Sequence, residues 1–266
     1  MSLARELMDA YANRHMLQAP LSDRDPSFDL TSAYAVEAEL VRLRQMSGRI
    51  TVGRKVGYAN KAVWRALKLE TLVWAHMYDD TVQYAPANEA ALDITRMSSP
   101  KIEPEIVFKM RRPLSGAEDA AGALAAVEWI ALGFEIIDCV YPDWKFQPTD
   151  FVASFGLHAA LIVGEPLPVE PAIIPKLAEQ LAQFKVRLTK NGEPVTEGSG
   201  KNSLRSPALC LAELASAISR RMPDELLAGG ELVSSGTLTE SQLLQPGQTW
   251  TASVTGLALQ PLTLHT

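Results

Sequence analysis

Apolar residues recur at three- and four-residue spacing through LARELMDAYANRHML (3–17) and again through TSAYAVEAELVRLRQM (31–46). This spacing predicts two amphipathic helices, the second entered through a capping Thr31/Ser32 and closed before Gly48. Residues 53–69, GRKVGYANKAVWRALKL, read as a glycine-flanked strand running into a helix, and residues 78–100 mix turn and strand signals around Asp79 and Asp80. The period then changes to two. In KIEPEIVFKM (101–110), Ile102, Pro104, Ile106, Phe108 and Met110 alternate with Lys101, Glu103, Glu105, Val107 and Lys109, as in a strand with one face in the core. Further on come an alanine-rich helix over 119–132, an apolar strand over 133–141 and a buried strand over 159–166. A hairpin over 184–198 turning at Asn191-Gly192 is followed by a helix over 206–222 and strands near 231–236, 248–255 and 257–264. Helices gather early and strands late, which predicts an α+β protein with an N-terminal helical cap (1–75) and a β-rich catalytic region (76–266) forming one compact unit.

Composition narrows the class. In 266 residues, 47% are hydrophobic, enough for a substantial core. A formal charge of -6 argues against nucleic acid or an anionic membrane as partner, because both select basic patches. Cys139 and Cys210 sit in apolar surroundings without CxxC spacing and read as core thiols of a reduced cytoplasmic protein. No apolar run approaches the length of about 18 residues that a membrane span needs.

Candidate chemistry begins with Glu103 and Glu105, side by side on one strand face about 7 Å apart at about 3.3 Å per residue. Carboxylates that close repel unless water or a cation separates them, so the pair is either a solvated strand face or part of a metal site. Glu135, inside the apolar GFEIID, tilts this balance, because a buried carboxylate needs a partner. Glu103, Glu105 and Glu135 together suit Mg²⁺ or Mn²⁺, with open positions left for water or substrate, while no Cys/His cluster supports zinc.

KIEPEIVF, then GFEIID, PDWKF and TDFVAS, preceded by GRKVGYANKAVWRAL and followed by GSGKNSLRSPALCLAELA and LLAGGELVSSGTLT, resemble the 2-keto-4-pentenoate hydratase and 4-oxalocrotonate decarboxylase family of the fumarylacetoacetate hydrolase superfamily. The resemblance spans about residues 31–257, with the motifs in order. It implies a roll of mixed, strongly twisted sheets flanked by helices, assembled as homo-oligomers. It also implies a divalent metal held by Glu103, Glu105 and Glu135, with Lys55 beside a small 2-oxo acid substrate, Thr237 facing the pocket and Asp79 as a nearby acid.

The chain departs from the family pattern at Ser154 and Phe155, which stand where an Asp-Asn pair is usual, and at Tyr58, Ala59 and Asn60, which replace Leu-Thr-Ser; these changes reshape the substrate pocket. Arg205 stands where glycine is common. The activity implied is a hydratase-like lyase acting on a 2-oxo or 2-hydroxydienoate acid, in which the metal stabilises an enolate and Lys55 adds positive charge or moves a proton. The alternatives are an acylpyruvate-type C–C hydrolase, with His76 or His158 activating water, a 2-oxo-acid decarboxylase, and a non-catalytic partner subunit.

Overall fold

Residues 2–116 and 118–266 are described in a computed structural model. Its helices are α1 (Leu3–Asn13), α2 (Leu21–Arg24), α3 (Leu30–Met46), α4 (Lys61–Trp64), α5 (Ala120–Leu124), α6 (Pro148–Ala153), α7 (Ile174–Gln183) and α8 (Pro207–Arg221). The strands are β1 (Thr51–Gly57), β2 (Val73–Tyr78), β3 (Val82–Tyr84), β4 (Glu89–Ala91), β5 (Lys101–Met110), β6 (Val127–Ile137) and β7 (His158–Val163). They continue with β8 (Leu167–Pro168), β9 (Lys185–Lys190), β10 (Glu193–Ser199), β11 (Leu232–Ser234), β12 (Gln242–Leu243), β13 (Thr249–Thr255) and β14 (Leu262–His265).

The strands form two mixed sheets. The larger runs β2-β1-β11-β5-β6-β7-β3, with β12 added on β5 and β8 on β6; the smaller runs β10-β9-β13-β14-β4. Met77 on β2, Val107 on β5, Ala131 on β6, Leu161 and Val163 on β7 and Leu232 on β11 pack into one cluster. β2 and β3 stand at opposite ends of this order yet are joined by only Asp79–Thr81, so the large sheet curls on itself, as accumulated strand twist allows. The other face carries the main core, which also takes in Leu7, Ala10, Leu17, Leu21 and Tyr34 from the N-terminal region. Polar ties fix that region further. Ser22 donates both its N–H and its hydroxyl to the buried Asp150, and the Tyr11 hydroxyl donates to the carbonyl of Asp138. The predicted helical cap also supplies β1 and the first residues of β2 to the large sheet.

Two local expectations change. The N-cap of α3 is Asp29 rather than Thr31/Ser32, its carboxylate accepting the Ser32 N–H at 2.8 Å. The alanine-rich stretch over 119–132 is helical only through Leu124, and from Val127 onward it is strand. Alanine favours helix, but Val127, Trp129 and Ile130 suit a pleated surface, and the β5 ladder running from Met110 back to Lys101 decides the outcome.

Candidate metal centre and substrate cavity

The β5–β6 register brings the carboxylates together. Glu103 lies directly opposite Glu135, and Glu105 opposite Gly133, all on the concave face of the curled sheet. One carboxylate oxygen from each of Glu103, Glu105 and Glu135 lies within 4.8 Å of the other two. Glu105 and Glu135 are fully buried, and Glu103 is half-buried. Burial pushes the Glu103 carboxyl up to about 7, Glu135 adding to this and Lys55 opposing it. Glu105 is raised well above the ordinary carboxylate range by burial and by its two acidic neighbours.

Glu135 runs the other way. Its burial is outweighed by Lys55 and by the hydrogen bond from His158, which together hold the carboxyl below the ordinary range. Lys55 Nζ sits 3.0 Å from Glu135 Oε2 as an ion pair without hydrogen-bond alignment, and it donates to the Gly156 carbonyl at 2.9 Å. The Phe151 ring lies beneath the ammonium, 4.7 Å from its centroid. Gly156 has φ +60°, and a Cβ there would stand 2.6 Å from Lys55 Cδ, so the close approach that holds the ammonium requires glycine. His158 is buried between Glu135 Oε1, 3.0 Å from Nδ1, and Thr81 Oγ1, 2.9 Å from Nε2.

The donor set fits a hard divalent cation. Glu105 Oε2 accepts from the Ser234 hydroxyl and from the Gly236 N–H, but Glu105 Oε1 is buried with no hydrogen-bond partner. An orphaned anionic oxygen costs several kcal/mol unless a cation meets it. Beside three carboxylates stand Lys55 and a histidine, so a divalent ion brings the cluster close to neutrality.

A cavity of about 510 Å³ opens over this cluster. Lys55, Glu103, Tyr58 and Thr237 line it, together with an aromatic wall of Trp144, Phe146 and Phe151 and a polar side carrying Asn60, Asn202 and Glu240. Burial raises the Tyr58 phenol well above its ordinary value, so it stays protonated and can donate.

Of the residues singled out from sequence, the fold brings together Glu103, Glu105, Glu135, Lys55, Tyr58 and Thr237. His158 stands behind Glu135 and off the cavity wall, and His76, Asp79, Ser154 and Phe155 stand elsewhere. His76 pairs through Nδ1 with the buried Glu37 at 2.6 Å, on the α3 side of β2 and outside the cavity wall, because successive strand residues face opposite ways and its neighbour Ala75 faces Gly156. Asp79 accepts the Ile50 N–H and lines a separate cavity with Thr51 and Lys109. Ser154 is fully buried and hydrogen-bonded to the Tyr141 hydroxyl, and Phe155 packs edge-on against Tyr11 and Tyr78. Phe151, three residues before Ser154, occupies the cavity wall instead. Gly156 and the Thr81–His158 support were invisible as such, although FGLH stood in the sequence.

A curled mixed sheet carrying acidic residues on its concave face defines a class, and family comparison agrees. The chain matches the fumarylacetoacetate (FAA) hydrolase C-terminal family over residues 56–261, and it belongs to that family. It is 30% identical to a 2-hydroxyhexa-2,4-dienoate hydratase from Comamonas testosteroni over 222 residues, covering 83% of this chain and 80% of that protein. It is 28% identical to a 2-keto-4-pentenoate hydratase from Paraburkholderia xenovorans over 240 residues, covering 90% of this chain and 85% of that one. Among solved structures, 4-oxalocrotonate decarboxylase from Pseudomonas putida, complexed with magnesium and adipate, superposes with a TM-score of 0.87 at 26% identity, covering 99% of this chain and 95% of that one.

Proposed function

We propose that this protein is a divalent-metal-dependent hydro-lyase acting on a small 2-oxo or 2-hydroxydienoate acid, with Glu103, Glu105 and Glu135 as the metal ligands. The observation that carries the reading is the three-carboxylate cluster with an orphaned buried oxygen, opening into a cavity beside a fixed lysine. Similarity to hydratases over most of the chain supports the reaction class. Oxygen donors with room for further ligands favour Mg²⁺, with Mn²⁺ as the close substitute.

A divalent ion held by Glu103, Glu105 and Glu135 would supply Lewis-acid polarisation to a bound 2-oxo acid. The protein's own groups do the rest. Lys55, positioned by Gly156 and Glu135, either stands as a positive charge beside the oxygen on which negative charge develops or passes its Nζ proton to the substrate carbon chain. Tyr58 donates from its protonated phenol. The aromatic wall excludes bulk water from all but the polar side of the cavity. A C–C hydrolase using a histidine base is less favoured, because among the described residues no histidine lines the cavity. The reading includes a homo-oligomer and a cytoplasmic setting; the free buried thiols Cys139 and Cys210 fit a reducing compartment, and no described helix is long and apolar enough to cross a membrane.

The test is turnover of enzymatically generated 2-hydroxypenta-2,4-dienoate, followed by loss of the conjugated dienoate absorbance with and without Mg²⁺. The expected result is metal-dependent loss that a chelator stops. A fully loaded protein with no turnover of this acid or its alkyl-substituted homologues would rule the reading out.

A further inference from the structure

We propose that a buried hydrogen-bond frame, anchored by Ser203 on the glycine-rich loop, confines Glu105 to binding through one oxygen and so makes the three-carboxylate site discriminate Mg²⁺ from Ca²⁺. The inference rests on the metal site of the proposed function and names Ser203 and Ser234 as its positioning residues.

The frame starts from the stretch GSGKNS (198–203), which is pressed against the turn over 235–239. A Cβ on Gly198 would stand 1.8 Å from the Leu238 carbonyl oxygen, so that approach requires glycine. The Asn202 side-chain amide donates to the same carbonyl at 2.7 Å. With the loop so placed, the buried Ser203 hydroxyl donates to the Ser235 carbonyl at 2.6 Å, and the buried Cys210 thiol donates to it at 3.1 Å. A peptide unit is planar and trans, so a held carbonyl aims the N–H of the same unit the opposite way. That N–H belongs to Gly236, and it donates to Glu105 Oε2 at 2.7 Å. The Ser234 hydroxyl, fully buried on β11, donates to the same oxygen.

Two donors thus occupy Glu105 Oε2, and Oε1 has none. Glu135 is divided likewise: His158 Nδ1 stands 3.0 Å from Oε1, while Oε2 has no hydrogen bond and faces the Lys55 ammonium. Each buried carboxylate therefore turns one oxygen to the protein and leaves the other for a cation. Ligands of one oxygen each suit Mg²⁺, a small octahedral ion that keeps several waters. Ca²⁺ is larger, takes about six to eight oxygens and gains from carboxylates that bind through both. Glu105 can bind that way only by giving up two buried donors, which is costly. Three carboxylates alone do not separate the two ions; the donors behind them do.

The test titrates Mg²⁺ and Ca²⁺ by calorimetry into wild type, Ser234→Ala and Ser203→Ala, with circular dichroism reporting the fold of each sample. The ratio of Mg²⁺ to Ca²⁺ affinity is expected to fall by about five- to tenfold in Ser234→Ala, the scale of one hydrogen bond to a charged group. A fall of about two- to fivefold is expected in Ser203→Ala, which acts through the peptide. Ser203→Thr keeps the hydroxyl and is expected to hold the wild-type ratio. Should Ser203→Ala lose the fold, Ser203→Cys, a weaker donor of similar size, takes its place. An unchanged ratio in the Ser234 and Ser203 variants, including equal weakening of both ions as loosened packing would cause, overturns the frame. A ratio that moves in Ser234→Ala alone overturns the part assigned to Ser203. If the wild type takes up neither ion, the proposed function fails and the frame with it; if it binds Mg²⁺ and only the ratios fail to move, the proposed function stands.

Discussion

At the level of single residues, the site turns on how Lys55 is held. Its ammonium has a carbonyl acceptor, a carboxylate partner and an aromatic face, so little of its position is left to solvent. Substituting Lys55→Met removes the fixed charge while keeping the aliphatic bulk. Turnover is expected to fall by about a hundred- to a thousandfold, while Mg²⁺ binding persists, because the carboxylates lose a competing cation. A variant that retains near-wild-type kcat would remove Lys55 from the mechanism. Gly156→Ala tests the positioning of that lysine. The new methyl group meets Lys55 Cδ in a backbone conformation unfavourable for alanine, so kcat is expected to drop with little change in Mg²⁺ affinity. Equal losses in kcat and metal affinity would instead mean that the site has collapsed. The three glutamates were marked in the sequence by strand alternation, by the apolar setting of Glu135 and by the family resemblance, whereas Lys55 was marked by the resemblance alone. Gly156 was not, since its partner lies 101 residues away and only the fold joins them.

At the level of elements, β5 and β6 are the frame. Pro104 in mid-β5 is uncommon, because proline offers no N–H to a ladder. Here its carbonyl accepts from Leu238 rather than from β6, so its missing N–H falls on the same side, in the gap between β11 and β12 that the Gly236-Thr237 turn crosses. The interruption lets that turn reach Glu105, whose Oε2 accepts the Gly236 N–H. The strand pattern was readable from alternation, but the register that sets Glu103 against Glu135 was not, because periodicity fixes the face and leaves the pairing open. Face also explains His76: it stood out as a histidine inside the matched region just before the Asp79-Asp80 pair, yet one residue of strand alternation turns it away from the cavity. The N-terminal elements are held by Asp150, which accepts the Ser22 N–H, the Ser22 hydroxyl and the Gln147 N–H. Asp150→Ala strands those donors, and a loss of about 2 kcal/mol is expected, read as a Tm drop of about 4–8 °C. An unchanged Tm would show that Asp150 adds nothing to the docking of the N-terminal helices.

For the whole molecule, the acidic cluster couples metal, pH and stability. Glu103 titrates at about 7 in the metal-free fold, against an ordinary value of 4.5, and Glu105 is raised as well. Between those pH values the folded chain holds more protons than the unfolded one, so metal-free stability falls as pH rises through the window. Glu135, with its pKa lowered, acts below 4.5 and leaves this window alone. A bound cation takes the place of the protons. The gain in Tm on adding Mg²⁺ is therefore expected to be small near pH 5 and to grow toward pH 7.5; a gain independent of pH would contradict the burial of the cluster. The fold class, a mixed roll with flanking helices, was legible from motif order, while the curl was not, because it depends on β2 and β3, adjacent in sequence, taking opposite ends of the sheet.

The central claim is that Glu103, Glu105 and Glu135 hold a divalent ion that a 2-oxo acid chelates. It is tested most directly by calorimetric titration of Mg²⁺ into the wild-type protein and Glu105→Ala, with and without oxalate as a chelating analogue. The account predicts binding to the wild type that oxalate strengthens and that the substitution abolishes. Wild-type protein that takes up no Mg²⁺, or a variant that binds it as tightly as the wild type, would contradict it.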